Sequence, residues 1–321
     1  MEAAYSDRTL VTQVGGRHAD HARLGERCSG WPTSSSTLPG LVVRMLRHLE
    51  VFPDASVLDV ATGSGYSAAL LSRLLGERQV TSIDVDPYLT EVAAERLDGM
   101  GLHPKVVTCD ATGPLPGEYD RIVSMVSVRP IPASWLAALK PGGRLVTVIR
   151  DTSLIITANK TVDGGASGQV ERDRAMFMQT RSGADYPPGP VELWDAAFEQ
   201  EGEEVTKGRY PMVNVSAAWE LCSMLEVVAP GIEHRYTESG DDGGQTAWMA
   251  HADGSWSRAS AAWDELPTVH QGGPRRLWDI LDEIRHHWVR NGELPVLGSR
   301  VSIAPTGEIS LSRGWWRASI A

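Results

Sequence analysis

The sequence predicts an α/β fold: a doubly wound, mostly parallel sheet closed by an antiparallel pair, followed by a smaller α+β C-terminal domain. Three observations carry this. Between residues 56 and 149, short apolar runs alternate with stretches of helical period, which demands crossover connections and hence parallel strands with helices on both faces. From Ser153 the rhythm changes to two runs, Leu154 to Val162 and Gln169 to Gln179, separated by Asp163-Gly164-Gly165, a hairpin signal. Past the breaker-rich stretch Ser182 to Pro190, the composition shifts: nine of the eleven tryptophans follow it.

Taken in order, residues 1 to about 30 are polar, rich in Arg and His, and read as a loosely structured arm. Thr33-Ser34-Ser35-Ser36-Thr37-Leu38-Pro39 reads as a hydroxyl-rich loop, feeding a helix in which Leu41, Val42, Met45, Leu46 and Leu49 share one face. Arm, loop and helix make up residues 1–50. The core, 51–182, opens with the buried strand Ser56 to Ala61 and a glycine turn. A helix from Tyr66 to Leu75 follows, with Ala69, Leu70 and Leu74 expected to face inward. Next come strand Gln79 to Val85, helix Pro87 to Met100, strand Lys105 to Cys109, strand Arg121 to Met125, a short helix Pro132 to Leu139, the turn Pro141-Gly142-Gly143 and strand Arg144 to Ile149. The third domain is set at 190–321, with hairpins at Asp253-Gly254 and Thr306-Gly307 and a helix near Arg275 to Arg290. Its tryptophans are read as core filling in a domain poor in Phe, more than as a recognition surface.

With 321 residues, 42% hydrophobic and 22% charged, the chain buries a substantial core. The net charge of -11, without a basic block, disfavours nucleic acid as a partner. No run of about 18 apolar residues marks a membrane span, and the N-terminus lacks a signal-type apolar stretch. Cys28, Cys109 and Cys222 are far apart and outside any zinc-type spacing, so neither disulfides nor a metal is expected and a cytoplasmic protein is.

The chemistry concentrates in Asp59-Val60-Ala61-Thr62-Gly63-Ser64-Gly65. Glycines between a first strand and a first helix let the backbone approach a ligand, and the helix N-terminus offers free N–H groups. The carboxylate of Asp59 at the strand end suits the ammonium of an amino-acid moiety and would repel a pyrophosphate. Asp84, with Val85, stands about 20 residues on, where ribose hydroxyls are bound. Asp110, with Ala111, follows the third strand, where an adenine amino group would lie. Three acids after three successive strands predict S-adenosylmethionine as cofactor and a Rossmann-like methyltransferase.

At this point the residues resemble the protein L-isoaspartate (D-aspartate) O-methyltransferases. The likeness runs from about Gly30 to Thr180, through Pro39-Gly40-Leu41-Val42-Val43-Arg44-Met45-Leu46, Val57 to Ala69, Tyr119-Asp120-Arg121-Ile122-Val123, Pro130-Ile131-Pro132 and Pro141 to Val146. Two departures stand out: Thr37, where the repair enzymes carry serine two residues before the proline, and a chain that continues beyond Arg181. Both features, with the tail Gln271 to Asp279, look like the peptide-modifying branch associated with lanthipeptide, lasso-peptide or graspetide biosynthesis. That resemblance implies methylation of an aspartate in a ribosomally made, cyclised peptide, then closure to an aspartimide and opening to aspartate or isoaspartate. The alternatives are repair of isoaspartyl residues in damaged proteins and, from another class, a non-catalytic partner of a peptide cyclase. A carboxylate of pKa near ~4 is already anionic at neutral pH, so orientation is what the enzyme supplies. Thr37 and Ser36 are the candidate catalytic residues, with Ser35 and Arg129 at the substrate mouth. His18, Asp20 and His21 are read as a solvated arm and His286-His287 as structural.

Overall fold

The computed structural model describes residues 6–23, 25–181, 194, 197–198, 200–238 and 243–320. They form two compact units, Met1–Pro187 with Gly298–Ala321, and Pro188–Leu297.

In the first unit, β1 (Leu10–Val14), β2 (Arg17–His18) and β3 (Pro32–Ser36) form a small antiparallel sheet of order β2-β1-β3. The hydroxyl-rich segment is therefore a strand for most of its length, a correction to the loop reading. Its alternation of small polar residues carries no hydrophobic signal, yet Thr33 and Ser34 are buried because β1 hydroxyl and amide groups satisfy them. The described part of the arm likewise carries β1 and β2. His18 is 4% exposed, edge-on to Tyr88, and burial lowers its pKa, which corrects the reading of that residue as solvated.

α1 (Pro39–His48) starts with proline in its first turn and ends with Arg47 and His48, matching the helix dipole, and buries Leu41, Val42 and Met45. The wound core follows as β4 (Val57–Val60), α2 (Tyr66–Leu75), β5 (Val80–Asp84), α3 (Pro87–Asp98), β6 (Lys105–Thr108), β7 (Tyr119–Val128), α4 (Ala133–Ala138) and β8 (Leu139–Ile149). Strands β6, β5, β4, β7 and β8 pair in parallel in that order. β4 is central and buried at every position. α2 turns inward through Ser67, Ala68, Leu71 and Ser72, while Leu74 is 64% exposed, so the predicted inner face is displaced. Apolar periodicity misled there because Ser67 and Ser72 are buried with their hydroxyls bonded. Pro141-Gly142-Gly143 lies within β8, where the pairing with β7 jumps register and Gly142 takes φ +72°.

β9 (Leu154–Lys160) and β10 (Ala166–Arg174) are the expected antiparallel hairpin, turning at Gly164 with φ +88°. Beyond the interval 182–193, which lies outside the described residues, the second unit contains β11 (Glu204–Lys207), α5 (Trp219–Val228), β12 (Glu233–Glu238), β13 (Gly244–Ala250), β14 (Trp256–Ala262), β15 (Thr268–Gly272) and α6 (Leu277–Asn291). Its strands form one antiparallel sheet of order β11-β15-β14-β13-β12. Trp194, Trp256 and Trp278 are buried in this unit, whereas Trp263 is 67% exposed.

The chain then returns to the first unit as β16 (Arg300–Ile303), β17 (Ile309–Arg313) and β18 (Trp316–Ile320). β16 pairs with β10, so five antiparallel strands, β9, β10, β16, β17 and β18, extend the five parallel ones into a ten-stranded sheet. The domain expected over 190–321 thus ends before Gly298, and the closing pair is a closing five. Sequence patterning marks a strand but carries no record of which sheet edge it will pair with.

Candidate functional site

A cavity of about 260 Å³ opens at the carboxyl ends of β4, β5 and β6, next to the point where strand order reverses between β4 and β7. Thr33, Ser34, Ser35 and Thr37 bound it on one side, and the segment Met176 to Arg181 on another. That segment is held across the end of β7, where Ser127 N donates to Met178 O and Thr180 N to Ser127 O.

The floor is the glycine turn. Ala61, Gly63 and Gly65 have φ of +72°, +51° and +83°. The N–H groups of Ala61 and Thr62 donate to Ile83 O, and that of Gly63 donates to Asp84 Oδ2 at 3.0 Å. A Cβ on Gly65 would stand 3.3 Å from the Ala93 Cβ, a tight contact that, with φ +83°, favours glycine where the turn passes α3. Asp84, 8% exposed, lines the cavity and also accepts from Asp86 N. Burial raises its pKa, opposed by those two N–H donors and by the Arg181 guanidinium. Asp110 and Ala111 line the same cavity; Asp110 Oδ1 accepts from Thr112 N and Oγ1, and Ala111 O accepts from Trp135 Nε1 at 2.7 Å. Thr62, Gly63, Ser64 and Val85 complete that wall.

Asp59 departs from expectation. It is 0% exposed and stands behind the wall, where Ser67 and Ser82 hydroxyls donate to its Oδ2 at 2.9 and 2.8 Å. Burial, ahead of those two hydrogen bonds, raises its pKa to about 6. Asp59 is therefore not on the cavity wall, whereas Ser67 and Thr62 are.

On the substrate side, Thr33 and Ser34 are tied to Gln13 and Thr12 of β1. Ser36 Oγ lies 3.3 Å from Ser64 Oγ, joining β3 to the glycine turn, and is not on the cavity wall. Ser35 and Thr37 are on it, and no side-chain hydrogen bond engages their hydroxyls among the described residues. Arg129 is not on that wall. The backbone two residues on is anchored elsewhere, Ile131 N donating to Gly307 O in the β16–β17 turn. Arg181, whose side chain is 7% exposed, does line the cavity and pairs with Asp86 at 3.6 Å. Sequence reasoning missed Gln13, Ser67, Ser82, Asp86 and Arg181. Of these, Asp86-Pro87 had a signal, the N-cap followed by proline that opens α3. Among the described residues there is no group of three or more His, Cys, Asp or Glu placed to hold a metal, and no helix is long and apolar enough to cross a membrane.

The wound sheet with its antiparallel extension, and a cavity bounded by a glycine turn and acids at successive strand ends, define the Rossmann-like methyltransferase fold. Residues 25–180, just under half the chain, match the sequence profile of the protein-L-isoaspartate(D-aspartate) O-methyltransferase family. A protein-L-isoaspartate O-methyltransferase of Aeropyrum pernix is 38% identical over 134 residues, covering 39% of this chain and 51% of the relative. One of Myxococcus xanthus is 31% identical over 140 residues, covering 41% and 65%. The chain thus spans about half the length of the curated relatives it matches. A solved protein-L-isoaspartate O-methyltransferase aligns over 100% of this chain and 87% of its own at 17% identity, with a TM-score of 0.47.

Proposed function

We propose that the chain is an S-adenosylmethionine-dependent carboxyl O-methyltransferase whose acceptor is an isoaspartyl residue of a protein or peptide. The observation that carries this is the convergence, in one cavity, of the glycine turn, Asp84 and Asp110 with the hydroxyls of Ser35 and Thr37. The residues fit the cofactor. Asp84 is a carboxylate poised for ribose hydroxyls beside Val85, Asp110 and Ala111 suit an adenine edge, and the Gly63–Gly65 turn admits a main-chain-like amino-acid moiety without a Cβ in the way. When bound, S-adenosylmethionine supplies an electrophilic methyl group.

The protein's own work is binding and alignment. An acceptor carboxylate is already anionic at neutral pH, so no general base is needed. Thr37, with Ser35 beside it, donates hydroxyl hydrogen bonds that fix one carboxylate oxygen and turn the other toward the cofactor. Ser36 holds β3 to the glycine turn through Ser64, setting the distance between acceptor and donor. Leu38, Leu41, Val42 and Leu89 make part of the wall apolar, which limits hydration of the nucleophile. Esterification converts a poor leaving group into methoxide, so attack by the following main-chain amide nitrogen closes a succinimide and releases methanol.

The relatives' names favour the isoaspartyl acceptor over the aspartate of a ribosomally made peptide, to which the departures at Thr37 and beyond Arg181 pointed. That second reading keeps one supporting observation: the tryptophan-rich unit Pro188–Leu297 lies outside the family match, and gives a place for a substrate-specific module. Radiolabel transfer from S-adenosylmethionine to matched isoaspartyl and aspartyl peptides tests both. Label on the isoaspartyl peptide alone is the expected result; label on the aspartyl peptide alone transfers the assignment to peptide modification.

A further inference from the structure

Asp59 is a carboxylate buried without full compensation. Both hydroxyl donors, Ser67 from α2 and Ser82 from β5, go to Oδ2, while the equally buried Oδ1 has no partner. On the other flank, β7 presents Val123 at the Asp59 register position. The charged group that bears on Asp59 is Asp84 of β5, of the same sign. Each donor leads to the cavity by one step. Ser67 lines it, and Ser82 Oγ is 2.7 Å from the hydroxyl of Thr62, which also lines it. With Ser82 donating to Asp59, Thr62 donates to Ser82, so the two hydroxyl chains point their polarity toward the carboxylate. A cationic ligand in the cavity would therefore face a carboxylate one hydroxyl behind the wall, across a medium with little water to screen it.

Resting on the methyltransferase reading, we propose that Asp59 is a proton-linked counter-charge for the cofactor. It holds a proton in the free protein under mildly acidic conditions and ionises when the amino-acid ammonium, which S-adenosylmethionine and S-adenosylhomocysteine share, occupies the cavity, the proton passing to solvent. Ser67 and the Thr62–Ser82 pair then stabilise the anion. Asp59 is on this view a positioning residue that sets the pH range of cofactor binding, and it touches neither substrate nor cofactor. The raised pKa of about 6 in the free protein agrees with this and places the window. By linkage, a group that loses its proton on binding makes affinity fall as pH drops below that value, by up to about tenfold per pH unit.

The test is calorimetry of S-adenosylhomocysteine binding between about pH 5 and pH 8, in buffers of different ionisation enthalpy, which counts protons exchanged. Wild-type protein should release a fraction of a proton near pH 6 that D59N does not, and the affinity of D59N should lose the acid-side fall. Any proton exchanged by the ligand's own amine is common to both proteins and cancels in the difference. S82A removes one donor to the anion and should move the release window to higher pH, an effect that a purely structural Asp59 would not produce. Equal proton counts in wild type and D59N, with binding intact, overturn the proposal, as does an unmoved window in S82A. Failure of the wild type to bind S-adenosylhomocysteine at any pH is a different result, and sinks the cofactor reading together with this inference.

Discussion

Three side chains carry the chemistry that single substitutions can reach. Burial raises the Asp59 carboxyl from its ordinary pKa of 3.8 to about 6. The folded state thus binds the proton more tightly, so stability falls as pH rises from about 4 to about 6 and is flat above. Two pKa units correspond to about 3 kcal/mol as an upper bound. D59N should abolish that slope and raise the urea midpoint at pH 7 of the ligand-free protein, which equilibrium unfolding at pH 5 and 7 checks. Ala61 holds φ +72°, a left-handed conformation that costs an L-residue about 1–2 kcal/mol. Ala61→Gly should therefore stabilise the fold by up to about 1 kcal/mol, after the loss to unfolded-chain entropy; a lower melting temperature would show that the Ala61 methyl group contributes packing instead. Thr37→Ala removes a donor to a charged acceptor and should cut kcat/KM by about 10- to 100-fold, with Thr37→Ser restoring most of it. Equal loss in both variants would place the role in the Thr37 methyl group rather than the hydroxyl.

At the scale of elements, the sheet tolerates no extra atom where β10 crosses β9. A Cβ on Gly168 would fall 1.8 Å from Thr157 O and 2.7 Å from Ala158 Cα, both backbone. Gly168→Ala should force the two strands apart, at a cost of about 1–3 kcal/mol or more, read as a lower denaturant midpoint. Helix boundaries and hairpin turns were legible in sequence because each has a local chemical cause. Pro39 and Asp86-Pro87 open helices, and Gly164, Gly254 and Gly307 all take positive φ at turns. β3 was not legible, since Thr33 and Ser34 owe their burial to partners on β1 that lie about 20 residues away in sequence. The inner face of α2 was misread for the same reason, a buried serine looking like a surface residue until Asp59 is placed beside it.

For the molecule as a whole, the consequence lies in the last strands. β16–β18 follow the tryptophan-rich unit in sequence but complete the sheet of the first unit, with Val301, Ile303, Ile309 and Leu311 all buried there. Deleting residues 298–321 leaves the family-matched segment intact and yet uncovers the β10 edge. The truncated protein should melt well below the full chain and aggregate; an unchanged melting temperature would mean that the β10 edge is self-sufficient.

By itself the sequence determined the parallel core, its glycine turn and the acids at three strand ends, because strand period, φ > 0 glycines and strand-end carboxylates are local consequences of residue type. It also carried the likeness of residues 25–180 to the protein-L-isoaspartate(D-aspartate) O-methyltransferase profile. Only the tertiary structure decided that Asp59 stands behind the cavity wall, that Arg181 and not Arg129 reaches the cavity, and that the chain's last strands rejoin the first sheet. Those three outcomes depend on which distant groups meet, and pairing between segments far apart in sequence leaves no periodicity in either of them.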